Sequence, residues 1–198
     1  MYLRLMSQED VPQVSEIDRE AFPTLWPPAN YQRELKNGLA HYIVACDGRE
    51  EPEAVPDKGF AGLLARVRRL FGNGPAPAAG HYIMGFVGLW LLVDEAHITN
   101  IAVREKHRRQ GIGESLLIAI IELAIELRAK LVTLEVRASN AEAQKLYAKY
   151  GFVRVGLRRG YYTDNREDAV LMTIEDVKSS KARLEQLKRA HAVETADR

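Results

Sequence analysis

Residues 108–113 read Arg108-Arg109-Gln110-Gly111-Ile112-Gly113 and lie between two strongly apolar segments. An apolar, strand-like run from Ala96 to Val103 precedes them, and we expect a long apolar helix from near Gly111 to about Arg128. A helix N-terminus carries unpartnered backbone N–H groups and the positive end of the dipole, which together favour an anion. Gly111 and Gly113 have no Cβ, so a pyrophosphate could approach the backbone closely. Taken alone, the six residues fit a solvated turn equally well.

The spacing of these glycines excludes two common phosphate-binding patterns. It lacks the Gly-x-Gly-x-x-Gly of dinucleotide-binding domains, and no Gly-Lys-Ser/Thr follows as in a P-loop. The pattern that remains is Arg-x-x-Gly-x-Gly, beginning at Arg108.

Composition and charge describe an ordinary globular chain with no strong partner signal. The 198 residues are 46% apolar and 28% charged, with a formal net charge of +1. We expect no direct nucleic-acid partner, because the basic run 107–109 is better explained by a pyrophosphate. With Cys46 as the single cysteine, no disulfide can form within the chain. The absence of a signal-peptide pattern and of a membrane-length apolar run adds to the expectation of a cytoplasmic protein.

Period-two and helical patterns predict an α/β fold with a mixed sheet and some α+β character. Antiparallel hairpins come first, and a strand–helix–strand–helix unit follows, which places helices on both faces of the sheet. We predict strands at 2–6, 41–46, 82–92, 96–103, 131–136, 152–156 and 169–174. We expect one domain over 1–174, interrupted by a Pro- and Gly-rich insertion at 47–80, and a charged helical tail at 175–198.

Three ordered motifs give the chain a family resemblance. Arg108-x-x-Gly111-x-Gly113 is the first; the segment 137–152 with Asn140, Leu146-Tyr147 and Gly151-Phe152 is the second; 157–162, followed by 166–169 and Met172, is the third. Together they resemble the GNAT acyltransferases, and in particular the RimI type, which acetylates the N-terminal alanine of a small-subunit ribosomal protein. The resemblance covers roughly 3–174.

The resemblance implies acetyl-CoA as co-substrate and a sheet whose parallel strands 96–103 and 131–136 splay apart to admit it. Cofactor contacts would come from the strand end, the glycine loop and the following helix: Ile101, Ala102, Val103, Arg108, Arg109, Gln110, Gly111, Ile112, Gly113, Glu114, Asn140 and Tyr147. Asn140 is also placed to cap its helix, and we favour the ligand role.

Glu135 and Tyr147 are the predicted catalytic pair. Glu135 is the only carboxylate in the apolar run 131–136, so we expect a raised pKa that suits a base; a solvent-facing or ion-paired glutamate is the alternative. A phenol has a pKa near that of a thiol, so Tyr147 could protonate a departing thiolate, although a core aromatic would have the same spacing. The resemblance favours base and acid, with Glu135 acting directly or through water.

The acceptor side rests on four aromatic residues. Phe22, Trp26, Tyr161 and Tyr162 are expected on loops that flank the peptide groove in RimI-type enzymes. They could instead close the edge of the core, and Phe22 is the one we most expect to be buried.

Further expectations concern metals, the insertion and competing functions. The histidines have no metal-ligand spacing, His97 reads as a satisfied strand histidine, and we predict no metal. The basic amphipathic stretch 58–71 could dock on a membrane surface, the ribosome or a partner, but we favour packing on its own domain or no role. The alternative functions are a lysine or small-amine N-acetyltransferase and a non-catalytic acetyl-CoA-binding module.

Overall fold

The structure, a computed structural model, describes residues 1–22, 29–48 and 81–196. The amphipathic stretch 58–71 and Trp26 therefore lie outside the described residues, as does most of the predicted insertion. In the part of the chain that is described, no helix combines the length and apolarity needed to cross a membrane.

The described residues contain seven strands and five α-helices. The strands are β1 (Tyr2–Leu5), β2 (Ala40–Cys46), β3 (Ile83–Leu92), β4 (Glu95–Val103), β5 (Leu131–Arg137), β6 (Val153–Tyr162) and β7 (Glu167–Ile174). The helices are α1 (Val11–Ala21), α2 (Tyr31–Glu34), α3 (Ile112–Glu126), α4 (Ala141–Lys149) and α5 (Lys181–Ala196).

The strands form one mixed sheet in the order β1-β2-β3-β4-β5-β7-β6. Neighbouring strands are antiparallel except β4 and β5, which are parallel because α3 carries the chain back between them. This arrangement confirms the predicted α/β plan with hairpins first and a strand–helix–strand unit after them.

Helices cover both faces of the sheet, and β2 shows why. Its residues alternate between two core clusters. Ile43 belongs to the cluster that includes residues of α3 and α5, and Val44 belongs to the cluster that includes residues of α1 and α2. Successive side chains of a strand point to opposite faces, so a strand apolar throughout must be covered twice. The predicted buried character of α3 is confirmed, since ten of its residues are buried.

One strand is longer than the sequence pattern predicts. We expected a strand over 152–156, but β6 continues to Tyr162 and pairs with β7 as far as Tyr162 and Glu167. The register shifts between Arg154 and Gly156, and again between Arg158 and Tyr162. Gly160, at φ +59°, accommodates an irregularity that a non-glycine residue would resist.

Candidate active site

A cleft opens in the middle of the sheet where β4 and β5 part. Their parallel pairing runs from Glu95–Leu131 to Ile98–Leu134. On its other edge β4 bulges at Thr99, because β3 pairs Leu89 with Ile98 but Gly88 with Asn100. A bulge bends its strand, while β5 continues to pair with β7 through Arg137. The splayed parallel strands predicted from the sequence are thereby confirmed.

Residues from five elements or their ends line this cleft, which has a volume of about 90 Å³. Six of the predicted site residues line the cleft: Phe22 after α1, Ile101 on β4, Glu135 on β5, Asn140 and Tyr147 at α4, and Tyr162 on β6. The structure thus gathers residues that are more than a hundred positions apart in the chain.

Glu135 lies on the cleft side of β5 with its carboxylate nearly buried and flanked by a histidine and an arginine side chain. His97 Nε2 is 3.0 Å from Glu135 Oε2, and Arg158 Nη2 is 3.1 Å from Oε1. The Arg158 contact is an ion pair without hydrogen-bond alignment, since Oε1 accepts no hydrogen bond from any described residue. One carboxylate oxygen is therefore fixed by His97, and the other can still accept a proton or a water molecule.

The expected rise in the Glu135 pKa is wrong. Burial does raise the pKa of this carboxyl, but the hydrogen bond from His97 and the charges of His97 and Arg158 outweigh it, so the pKa lies below its usual value. A carboxylate of this kind is ionised at neutral pH. It is ready to accept a proton, although it is a weaker base than the sequence suggested.

Tyr147 and Asn140 face the same cleft from α4. Tyr147 is 6% exposed, its ring lies 5.8 Å from that of Phe152, and burial raises the pKa of its phenol. Asn140 Oδ1 accepts a hydrogen bond from Ala143 N at 3.1 Å, so the capping role considered for Asn140 is observed. A ligand would have to use the amide nitrogen of Asn140 instead.

The glycine loop approaches α3 through two left-handed residues. Gly111 caps the helix at φ +82°, and Arg109 has φ +64°, which is uncommon for a residue with a side chain. Arg108 Nε donates to Val103 O at 3.2 Å, and Arg109 pairs with Glu142 at the start of α4. The side chains brace the loop, and the first turn of α3, which follows Gly111, has the unpartnered backbone N–H groups of any helix start.

The acceptor-side aromatics differ from their predicted settings. Tyr161 and Tyr162 are the last residues of β6 rather than loop residues, with their rings in a T-shaped contact at 5.3 Å. The predicted strand end at Gly156 is wrong, because β6 continues to Tyr162 through a register shift between Arg158 and Tyr162 that contains Gly160. Phe22 was expected either at the peptide groove or, more than the other three aromatics, in the core; it is 42% exposed and lines the cleft because α1 ends just before it.

Arg137 fixes the β6–β7 turn beside the cleft. Its guanidinium contacts Asp164 at 2.8 Å and Glu167 at 3.1 Å, and lies 4.0 Å above the Tyr162 ring. Ser139 N donates to Glu167 at 2.7 Å, and the hydrogen bonds from Ser139 and Arg137 lower the pKa of Glu167 to about 2. This network holds Tyr162 in position at the mouth of the cleft.

Two residues of this site, His97 and Arg158, had no functional assignment from the sequence. His97 was interpreted as a satisfied histidine, which is correct, but its partner could be found only from the β4–β5 register, which pairs His97 with Thr133. Glu135 lies two residues further along β5, on the same face. Arg158 belongs to the third motif, and the adjacent pair Arg158-Arg159 was the feature of the sequence that could have indicated its role.

Nowhere in 1–22, 29–48 or 81–196 do three or more His, Cys, Asp or Glu side chains come together as a metal-holding group.

Known proteins resemble this chain in sequence and in fold. The profile of the acetyltransferase (GNAT) family matches residues 11–152. A candidate ribosomal protein bS18-alanine N-acetyltransferase of Bacillus subtilis (strain 168) is 35% identical over 173 residues, covering 87% of this chain and 93% of its own. An N-alpha-acetyltransferase of Sulfurisphaera tokodaii is 38% identical, covering 82% and 86%. The crystal structure of the ribosomal-protein-S18-alanine N-acetyltransferase from Escherichia coli superposes with a TM-score of 0.64 at 26% identity, covering 87% and 91%.

The opened sheet, the glycine loop on α3 and these relatives define an N-acetyltransferase. The chain belongs to the acetyltransferase (GNAT) family, and the resemblance drawn from its three motifs is confirmed.

Proposed function

We propose that this enzyme transfers acetyl from acetyl-CoA to the N-terminal α-amine of a protein, and that the N-terminal alanine of a small-subunit ribosomal protein is its acceptor. The observation that carries the proposal is the meeting of Glu135, Asn140, Tyr147 and Tyr162 around one cleft beside the splayed strands. The names of the Bacillus subtilis relative and the Escherichia coli neighbour support the acceptor. The archaeal relative supports the broader class, protein N-termini.

Acetyl-CoA fits the chain along β4 and the glycine loop. Residues 101–103 lie beyond the last β4–β5 pair, so their backbone groups on the cleft side are open to the amides of a pantetheine arm. The first turn of α3, after Gly111, offers backbone N–H groups for the pyrophosphate. Arg109 would exchange its exposed ion pair with Glu142 for a phosphate oxygen, which costs little because exposed pairs are weak.

Glu135 is the proposed base. The acceptor amine arrives as an ammonium and must lose a proton before its nitrogen attacks the thioester carbon. The open oxygen Oε1 would receive that proton through a water molecule, while His97 holds Oε2. His97 and, to a smaller degree, Arg158 keep the carboxylate ionised, and the exposed Arg158 side chain can move aside as the ammonium enters.

Tyr147 is the proposed acid. When the carbon–sulfur bond breaks, the leaving thiolate needs a proton, and Tyr147 lines the cleft from α4. Burial raises the pKa of this phenol, so Tyr147 keeps its proton at neutral pH but is a weaker acid towards the thiolate than the sequence suggested.

The acceptor would enter between the end of α1 and the end of β6. Phe22 and Tyr162 line the cleft on this side, and the Arg137 network holds Tyr162 rigidly. Large aromatic side chains that are already ordered can clamp a peptide at low entropic cost. Tyr161, whose ring contacts that of Tyr162, is proposed to extend the same surface, and Trp26 is proposed as a further contact of the acceptor.

The test is acetyl-CoA-dependent acetylation of two peptides, followed by mass spectrometry. One peptide has a free N-terminal alanine and no lysine; the other has a blocked N-terminus and one internal lysine. We expect one acetyl group to be added to the first peptide only. Acetylation of the lysine peptide alone would replace the proposal with the lysine alternative, and binding of acetyl-CoA without transfer to either peptide would contradict an N-terminal acceptor.

A further inference from the structure

The C-terminal helix α5 packs against the first turn of α3. His191 on α5 is 6% exposed; its Nε2 lies 2.8 Å from Ser115 Oγ and its Nδ1 3.4 Å from Glu114 Oε2. Earlier along α5, Leu184 is buried in the core and Lys188 Nζ lies 2.7 Å from Glu122 Oε1 on α3. The tail thus docks along α3 and places His191 beside the glycine loop.

Gly111 shows how closely α5 approaches this loop. A Cβ at Gly111 would lie 2.9 Å from both His191 Cε1 and Thr195 Cγ2, closer than real Cβ contacts. The absence of a side chain at Gly111 therefore allows the close packing of α5 as well as the left-handed backbone conformation. Loop and tail are fitted to each other at the residue that opens α3.

Glu114 connects three elements at the same place. Its Oε1 accepts hydrogen bonds from Lys149 Nζ and Tyr150 Oη, both at 2.6 Å, at the end of α4, and its Oε2 faces His191 on α5. Burial raises the pKa of Glu114, but the hydrogen bonds from Lys149 and Tyr150 lower it by more. The pKa therefore lies below its usual value, and the carboxyl is ionised. The first turn of α3 is held from both sides through Glu114 and Ser115.

We propose that α5 is an integral part of the acetyl-CoA site and that His191 is a positioning residue for the pyrophosphate loop. The inference rests on the proposed function, because the first turn of α3 is where acetyl-CoA would bind. Backbone N–H groups bind a pyrophosphate only when they converge, and His191 fixes the turn that carries them through Ser115 and Glu114. The family profile ends at residue 152, so this contribution lies outside the region it matches.

Titration calorimetry with acetyl-CoA and steady-state kinetics on the full chain test this proposal. His191→Ala should raise the Kd and the KM for acetyl-CoA about tenfold, the effect of one lost hydrogen bond, while kcat and the peptide KM stay within about twofold. His191→Gln should restore most of the affinity, because its amide can still bond Ser115. Val193→Ala is the matched control, since Val193 is 62% exposed on the same helix.

Ser115→Ala removes the same contact from the α3 side and should reproduce the selective loss, even if His191→Ala fails to fold. Unchanged affinity for acetyl-CoA in both alanine variants would overturn the proposal, and so would equal losses in kcat and the peptide KM. A wild-type chain that does not bind acetyl-CoA at all would instead contradict the proposed function.

Discussion

At the residue scale, the two side chains proposed for proton transfer can be separated from cofactor binding. Glu135→Gln and Tyr147→Phe each remove a proton-transfer group and keep the shape of the side chain, so kcat should fall by about 100-fold or more. The Kd for acetyl-CoA should stay within about twofold, measured by calorimetry. Glu175→Gln, at an exposed position, serves as the control. A variant with nearly wild-type kcat would remove that residue from the mechanism.

His97 sets the pH range over which Glu135 stays ionised. Because the folded Glu135 pKa lies below its ordinary value of 4.5, loss of the carboxylate should limit kcat only below that value. His97→Leu removes the hydrogen bond and the charge, so the Glu135 pKa should rise and kcat should begin to fall at a higher pH. The measurement is the pH profile of kcat, with His41→Leu on β2 as the control. Superimposable acid limbs would show that His97 does not tune the base.

At the element scale, the bend of β4 depends on a close approach by β3. A Cβ at Gly88 would lie 2.4 Å from Tyr42 Cε1 and 2.5 Å from Asn100 Oδ1, beside the bulge at Thr99. Gly88→Ala should therefore lower the free energy of unfolding by about 1–3 kcal/mol, as overpacking does. Gly156→Ala on β6 is the control, because its Cβ would meet only Leu171 at 3.7 Å. Urea unfolding compares the two variants, and equal unfolding midpoints would argue against a close approach at Gly88 that excludes a side chain.

The same scale shows what the sequence could predict. Alternation and helical spacing located the strands and helices, because periodicity reports which faces are buried. Pairing between distant elements is not periodic, so the contact of His97 with Glu135 and the placement of Arg158 depended on registers that only the sheet reveals. The predicted end of β6 at Gly156 was wrong, because a glycine in a strand pattern marks either an end or an irregularity, and Gly156 lies at a register shift within the strand.

At the scale of the whole molecule, the tail helix belongs to the main core. Leu184 on α5 is 4% exposed and packs in the cluster that contains α3 and the sheet. Leu184→Ala should lower the free energy of unfolding by about 2–5 kcal/mol and leave a single transition, because α5 unfolds with the domain. Val193→Ala should change stability by less than about 0.5 kcal/mol. Thermal melts followed by circular dichroism distinguish this result from a tail that melts separately at lower temperature.

The gap between β4 and β5 makes the stability of the fold dependent on a ligand that binds there. The ladder between these strands stops at Ile98 and Leu134, so the native sheet is completed only by whatever binds there. A ligand that recognises the folded chain alone stabilises it by mass action, by about 2.7 kcal/mol at a hundredfold excess over its Kd. If acetyl-CoA fills the gap, a starved cell would hold this enzyme in a less stable form, more open to proteases, and its abundance would then follow the supply of acetyl groups.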